Sequence, residues 1–124
     1  MPKKFNGWFL RAVKDRFDPF SIECRTESNP GSKRLIGYTI RLQNFWIVSI
    51  IFGPGSYTEN RYTWRESEER PNTRNAYINT THTAEVSVFS PDGQWYRLKG
   101  WNDDFKGHLT VDDVMFIIAL INRK

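Results

Sequence analysis

The sequence predicts an α+β fold, an antiparallel sheet of about five or six strands with a C-terminal α-helix packed on one face. Three stretches carry that expectation. Phe45–Phe52 holds eight residues with one polar member, rich in aromatic and β-branched types, and reads as a strand buried on both faces. It is closed by Gly53-Pro54-Gly55, which can only turn, because proline lacks a ladder donor and glycine tolerates positive φ. Ile36, Tyr38, Ile40 and Leu42 alternate with Gly37, Thr39 and Arg41, the signature of an antiparallel strand with one covered face. Val114, Ile117, Ile118 and Ile121 then fall on one face of a helix near the C-terminus.

The remaining elements follow in chain order. Phe5–Lys14 reads as a strand or one short helix. The chain reversals at Asn6-Gly7 and Asp18-Pro19 favour the strand. Phe20, Ile22 and Cys24 alternate with polar residues and predict a half-buried strand, with the Cys24 thiol as inert core. Ser28-Asn29-Pro30-Gly31-Ser32 is a turn. Residues 56–83 read as a long excursion from the sheet, with room for one strand around Ser56–Arg65. Ala84–Phe89 resumes strand alternation. Ser90-Pro91-Asp92-Gly93 turns a hairpin whose returning arm holds Trp95, Arg97 and Leu98. Thr110 is the predicted N-cap of the last helix, with Asp113 in the capping-box position.

A length of 124 residues without repeats or linkers makes residues 1–124 a single domain. Cys24 is the sole cysteine, so an internal disulfide is excluded. The N-terminus has no apolar segment of the signal-peptide kind, and no run approaches the ~20 apolar residues that span a bilayer. A cytoplasmic protein without membrane contact is expected. Asn79-Thr80-Thr81 matches a glycosylation sequon by chance in such a setting.

The net charge of +4 is unevenly spread. Residues 1–41 hold nine basic and four acidic side chains, whereas 42–84 hold four of each. A basic first third suits phosphates, an acidic protein surface, or plain solubility. Lys3, Lys4, Arg11, Arg34 and Arg41 are the candidate nucleic-acid contacts.

No catalytic constellation is visible. His82 sits among threonines, and Gly53-Pro54-Gly55 lacks the Lys-Ser/Thr of a phosphate loop. Asn102-Asp103-Asp104, His108 and Asp112-Asp113 supply enough oxygens for a hard metal, but their spacing matches no metal motif and suits a polar loop before helix-capping acids. No catalytic residue, metal or cofactor is therefore expected. The functional signal lies in Tyr57, Arg61, Tyr62, Trp64, Arg65, Arg70 and Arg74, residue types that stack on bases or anchor protein interfaces. Glu59, Glu66, Glu68 and Glu69 neutralise these arginines, which favours a protein partner over a nucleic acid.

Phe45–Tyr57 and Ala84–Leu98, with its Ser-Pro-Asp-Gly-Gln-Trp-Tyr hairpin, resemble small uncharacterised proteins encoded by tailed bacteriophages and phage metagenomes. The resemblance covers residues 36–124 and brings no functional residues with it. It implies a non-catalytic protein that binds a host protein or ribonucleoprotein complex in the bacterial cytoplasm, as inhibitors of CRISPR effectors do. A small basic nucleic-acid-binding module is the alternative. A self-assembling phage structural protein, whose apolar helix face completes a homodimer, is the third reading.

Overall fold

The computed structural model describes residues 3–29, 32–53 and 82–124. Its elements are α1 (Gly7–Phe17), β1 (Ser21–Asn29), β2 (Ser32–Arg41), β3 (Ile47–Ile51), β4 (Thr83–Phe89), β5 (Trp95–Tyr96), β6 (Phe105–Thr110) and α2 (Val111–Asn122). The six strands form one sheet in the order β1-β2-β3-β4-β5, with every pairing antiparallel. β6 pairs with the N-terminal part of β4 and β5 with its C-terminal part. The α+β expectation, including a C-terminal helix on the sheet, holds.

The expected strand at Phe5–Lys14 is instead α1. The residues read as chain reversals are its caps. Asn6 accepts a hydrogen bond from the Trp8 amide at 3.1 Å, and Asp18 closes the helix in the left-handed region with its amide on the Lys14 carbonyl. Helical spacing puts Phe9 and Val13 together on the buried side, where a strand would have placed them on one face with Arg11. Phe105–Thr110, expected as loop, is a strand. Its few apolar residues hid it.

The core lies between one sheet face and the two helices. Tyr38, Ile40 and Leu42 from β2 and its end, Val48, Ile50 and Phe52 from β3 and its end, and Ala84, Val86 and Val88 from β4 are fully buried there. α2 adds Val114, Ile117, Ile118 and Ile121. Four rings fill the space under α1: Phe5 against Phe9 at 5.0 Å, Phe9 against Tyr38 at 5.9 Å, and Tyr38 against Phe52 at 5.5 Å. Part of the aromatic excess in the sequence is thereby spent in the core. The strand at Phe45–Phe52 is shorter than expected, because Phe45 belongs to the turn before it.

Cys24 is exposed, not core. Its register partner is Tyr38, which places it on the inner face, but among the described residues β1 is the edge strand and no strand pairs with its open side. Tyr38 donates its hydroxyl to the Phe5 carbonyl at 3.1 Å. Burial, and secondarily the nearby Cys24 thiol, push its pKa from 10.0 up to about 12. A raised pKa means the folded state holds the proton more tightly than the unfolded chain. The stabilisation is therefore complete below pH 10 and is lost as pH rises toward 12. Tyr38→Phe should flatten the stability profile across that window, as followed by denaturant unfolding at stepped alkaline pH.

The α2 capping box forms as predicted. Thr110 Oγ1 accepts from the Asp113 amide at 3.2 Å, and Asp113 Oδ2 accepts from the Thr110 amide at 3.0 Å. Thr110→Ala should cost about 1 kcal/mol in urea unfolding, the usual worth of such a cap.

Candidate functional site

Tyr57, Arg61, Tyr62, Trp64, Arg65, Arg70 and Arg74 lie outside the described residues, as does the Arg34 side chain. The other basic candidates do not form one patch. Lys3 is bound to Asp112 at 2.8 Å and rests over the Trp8 ring, beside the start of α2. Arg11 is on the solvent side of α1, and Lys4 is half-buried just before that helix. Arg41 projects from the opposite sheet face, since its register neighbours Ser21 and Ile47 alternate with the buried residues. The common cationic surface expected of these residues is thus split between the two layers of the fold.

The acidic cluster near residues 102–113 is likewise dispersed. Asp104 pairs with Arg97 at 3.4 Å, Asp112 with Lys3, and Asp113 caps α2. Asp103 and His108 line an open cleft with Asn102, Phe105, Lys106 and Gly107. Among the described residues no three His, Cys, Asp or Glu side chains converge as a metal site.

Register assembles a different surface on the sheet face turned away from both helices. Ser21 pairs with Arg41, Arg41 with Ile47, Ile47 with Phe89, and Phe89 with Trp95. These five residues form a row across five strands, because cross-strand partners share a face. Phe89 and Trp95 pack at 4.6 Å between ring centroids, and Trp95 remains 56% exposed. The next row is polar: Glu23, Thr39, Ser49 and Ser87. Arg25, one row further, reaches back to donate to Ser49 Oγ at 3.2 Å.

A second exposed aromatic pair lies where β1 begins and β2 turns into β3. Phe20, just before β1, and Phe45, in the β2–β3 turn, have ring centroids 5.5 Å apart and exposures of 58% and 50%. Phe45 has φ of 68°, a left-handed conformation that costs a bulky L-residue on the order of 1–2 kcal/mol. The turn is held by a dense set of hydrogen bonds. The Phe45 amide donates to the Leu42 carbonyl and the Leu42 amide to the Trp46 carbonyl, both at 2.9 Å. Asn44 Oδ1 accepts from the Trp46 amide, while its Nδ2 donates to the carbonyls of Ile121 and Lys124 at the end of α2. Gln43 Nε2 donates to the Asp18 carbonyl. Rings presented by such a fixed turn lose little freedom on binding.

Reading from the sequence missed this surface. Sequence patterning places Phe20 and Phe45 in strands, and Trp95 on the arm of a hairpin. A signal was present in the phase: Ile47 and Phe89 fall out of step with the buried Val48, Val86 and Val88. The joining of the row depends on cross-strand register, which brings together residues distant in the chain.

No family model, curated protein or solved structure matches this chain. Among the described residues no helix is long and apolar enough to cross a membrane.

Proposed function

We propose that this chain is a non-catalytic binding protein that docks a partner protein through Phe20, Phe45 and the Arg41–Ile47–Phe89–Trp95 row. The observation that carries the proposal is Phe45: an exposed ring on a left-handed backbone, in a turn tied to the ends of both α1 and α2. Conformational cost of this kind persists where the surroundings over-determine it, and it clusters at functional positions. Phenylalanine, tryptophan and arginine on a rigid scaffold make the central anchors of protein interfaces. Following the phage-type resemblance, the partner is a host protein or ribonucleoprotein complex, and the outcome is inhibition of a nucleic-acid-targeting defence complex inside the bacterium. Tyr57, Tyr62, Trp64 and the neighbouring arginines are proposed to extend the contact.

A second reading is favoured by one feature. Open sheet faces bearing rings beside arginine also bind single-stranded nucleic acid by stacking. The balance of charge weighs against it, because Arg25 and Arg41 on this face are offset by Glu23 and Glu85.

The test is capture from bacterial lysate with the tagged full chain and with Phe45→Gly/Trp95→Ser, each with and without nuclease. A protein that survives nuclease and is lost with the double variant is the expected result. Capture that needs nucleic acid, or that the double variant retains, overturns the assignment.

A further inference from the structure

α2 is apolar on more than its buried side. Phe116 is 65% exposed and Leu120 37%, on a helix whose other large apolar residues are packed in the core. Exposed apolar side chains on a surface helix are ordinary when scattered. These two are not scattered. They are four residues apart, so they lie one turn apart on the same face.

The charges around them complete a pattern. Asp113 lies three residues before Phe116, and Arg123 three residues after Leu120. All four are exposed. At 3.6 residues per turn they fall within roughly 80° of arc and about 15 Å of helix length. The stripe therefore reads acid, apolar, apolar, base, with spacings of three, four and three. Such a stripe is complementary to itself when reversed. Position 113 faces 123, and 116 faces 120, about a single two-fold axis at the height of Ile118. Asp112 and Lys124, one step further out, obey the same symmetry.

We infer that α2 pairs with α2 of a second copy of this chain, antiparallel and about a two-fold axis. Phe116 of each copy packs on Leu120 of the other, and Asp113 of each copy pairs with Arg123 of the other. The charge pattern selects this occupant. A parallel arrangement would set acid against acid and base against base, and would leave the helix dipoles side by side and pointing the same way. The 3-4-3 spacing is that of a two-helix seam, in which apolar positions alternate three and four apart. The residues concerned are available for it. Asp113 uses only Oδ2 in the capping box, leaving its other oxygen for a cation. Trp8, 42% exposed and linked to the start of α2 through Lys3 and Asp112, widens the apolar area beside the seam. The interface is isologous, so each contact occurs twice. It rests on side chains other than those of the proposed function and stands or falls independently of it.

Sedimentation equilibrium of the full chain from about 5 to 500 μM tests the inference. Mass rising toward twice the monomer value is expected, with dissociation promoted by salt. Phe116→Ser/Leu120→Ser should stay monomeric throughout, with unchanged circular dichroism because both positions are exposed. Two charge variants report the register. Arg123→Glu and Asp113→Lys should each dimerise at least tenfold more weakly alone, since each sets like charges together. Mixed in equal amounts they should form a heterodimer, in which both ion pairs are restored, one with its parental sign and the other reversed. Folding of Asp113→Lys, which loses half of the capping box, is checked by the same circular dichroism. A parent chain monomeric at 500 μM overturns the inference. So does a dimer that survives Phe116→Ser/Leu120→Ser, or charge variants that fail to recover on mixing.

Discussion

Gly37→Ala is expected to destabilise this protein by roughly 3–5 kcal/mol, the range of severe packing defects, and to lower Tm by more than about 10 °C. Gly37 is buried in the middle of β2, between Arg25 of β1 and Ile51 of β3. A Cβ built there would stand 2.2 Å from the Ile50 carbonyl oxygen and 3.2 Å from the Ile51 Cα. Both neighbours are backbone, so no rotamer change can relieve the overlap. The strands must separate, and with them the ladder that aligns the aromatic row. On its other side Gly37 borders an irregular stretch of pairing, where the β1–β2 register shifts between Arg25 and Thr26. Gly93→Ala is the control. Its φ of 85° strains any L-residue, yet nothing lies within 4 Å of the added carbon. A loss near 1 kcal/mol is expected there. Equal losses at the two positions, measured by urea unfolding, would show that β2 and β3 separate easily and that the contact is unimportant.

Phe45→Gly should separate stability from binding. Glycine adopts φ of 68° freely, which recovers on the order of 1–2 kcal/mol of backbone strain. The substitution also removes the stack on Phe20, worth about 0.5–1.5 kcal/mol. These effects nearly cancel, so Tm should stay within about 5 °C of the parent. Partner affinity should fall at least tenfold, because a central aromatic anchor typically contributes more than about 1.4 kcal/mol. A variant that is clearly less stable would mean that the ring serves the fold. Undiminished affinity, read by titration calorimetry against the captured partner, would remove Phe45 from the interface. The parent chain thus carries a strained turn that a more stable sequence would not, as expected where function and stability compete.

Much of the architecture was legible locally. The alternation of Ile36–Leu42 and Ala84–Phe89 names strands with one covered face, and Tyr38, Ile40, Leu42, Ala84, Val86 and Val88 are buried there. Ser90–Gly93 predicts a tight turn, and the Gly93 amide donates to the Ser90 carbonyl at 2.9 Å with Gly93 at positive φ. Thr110 and Asp113 predict the start of α2 and form its capping box. In each case the chemistry that decides the structure lies within a few residues of chain.

Where partners were distant, local reading reached its limit. Asn6 and Asp18 are as compatible with turns as with helix caps, and the ring cluster of Phe5, Phe9, Tyr38 and Phe52 decides between them by burying one helical face. Cys24 has the phase of a core residue, but its strand lies at the sheet edge. The candidate surface depends still more on tertiary structure. Arg41, Ile47, Phe89 and Trp95 are spread over 55 residues of chain and become neighbours only through the registers of four antiparallel strands. Phe116 and Leu120 fall on the side of α2 opposite Val114, Ile117, Ile118 and Ile121, and burial of that set against the sheet leaves them in solvent. Sequence periodicity by itself determined which residues share a face. Which faces are covered, and which are left to meet a partner, was decided by the tertiary structure, because covering a face requires surface contributed from elsewhere in the chain.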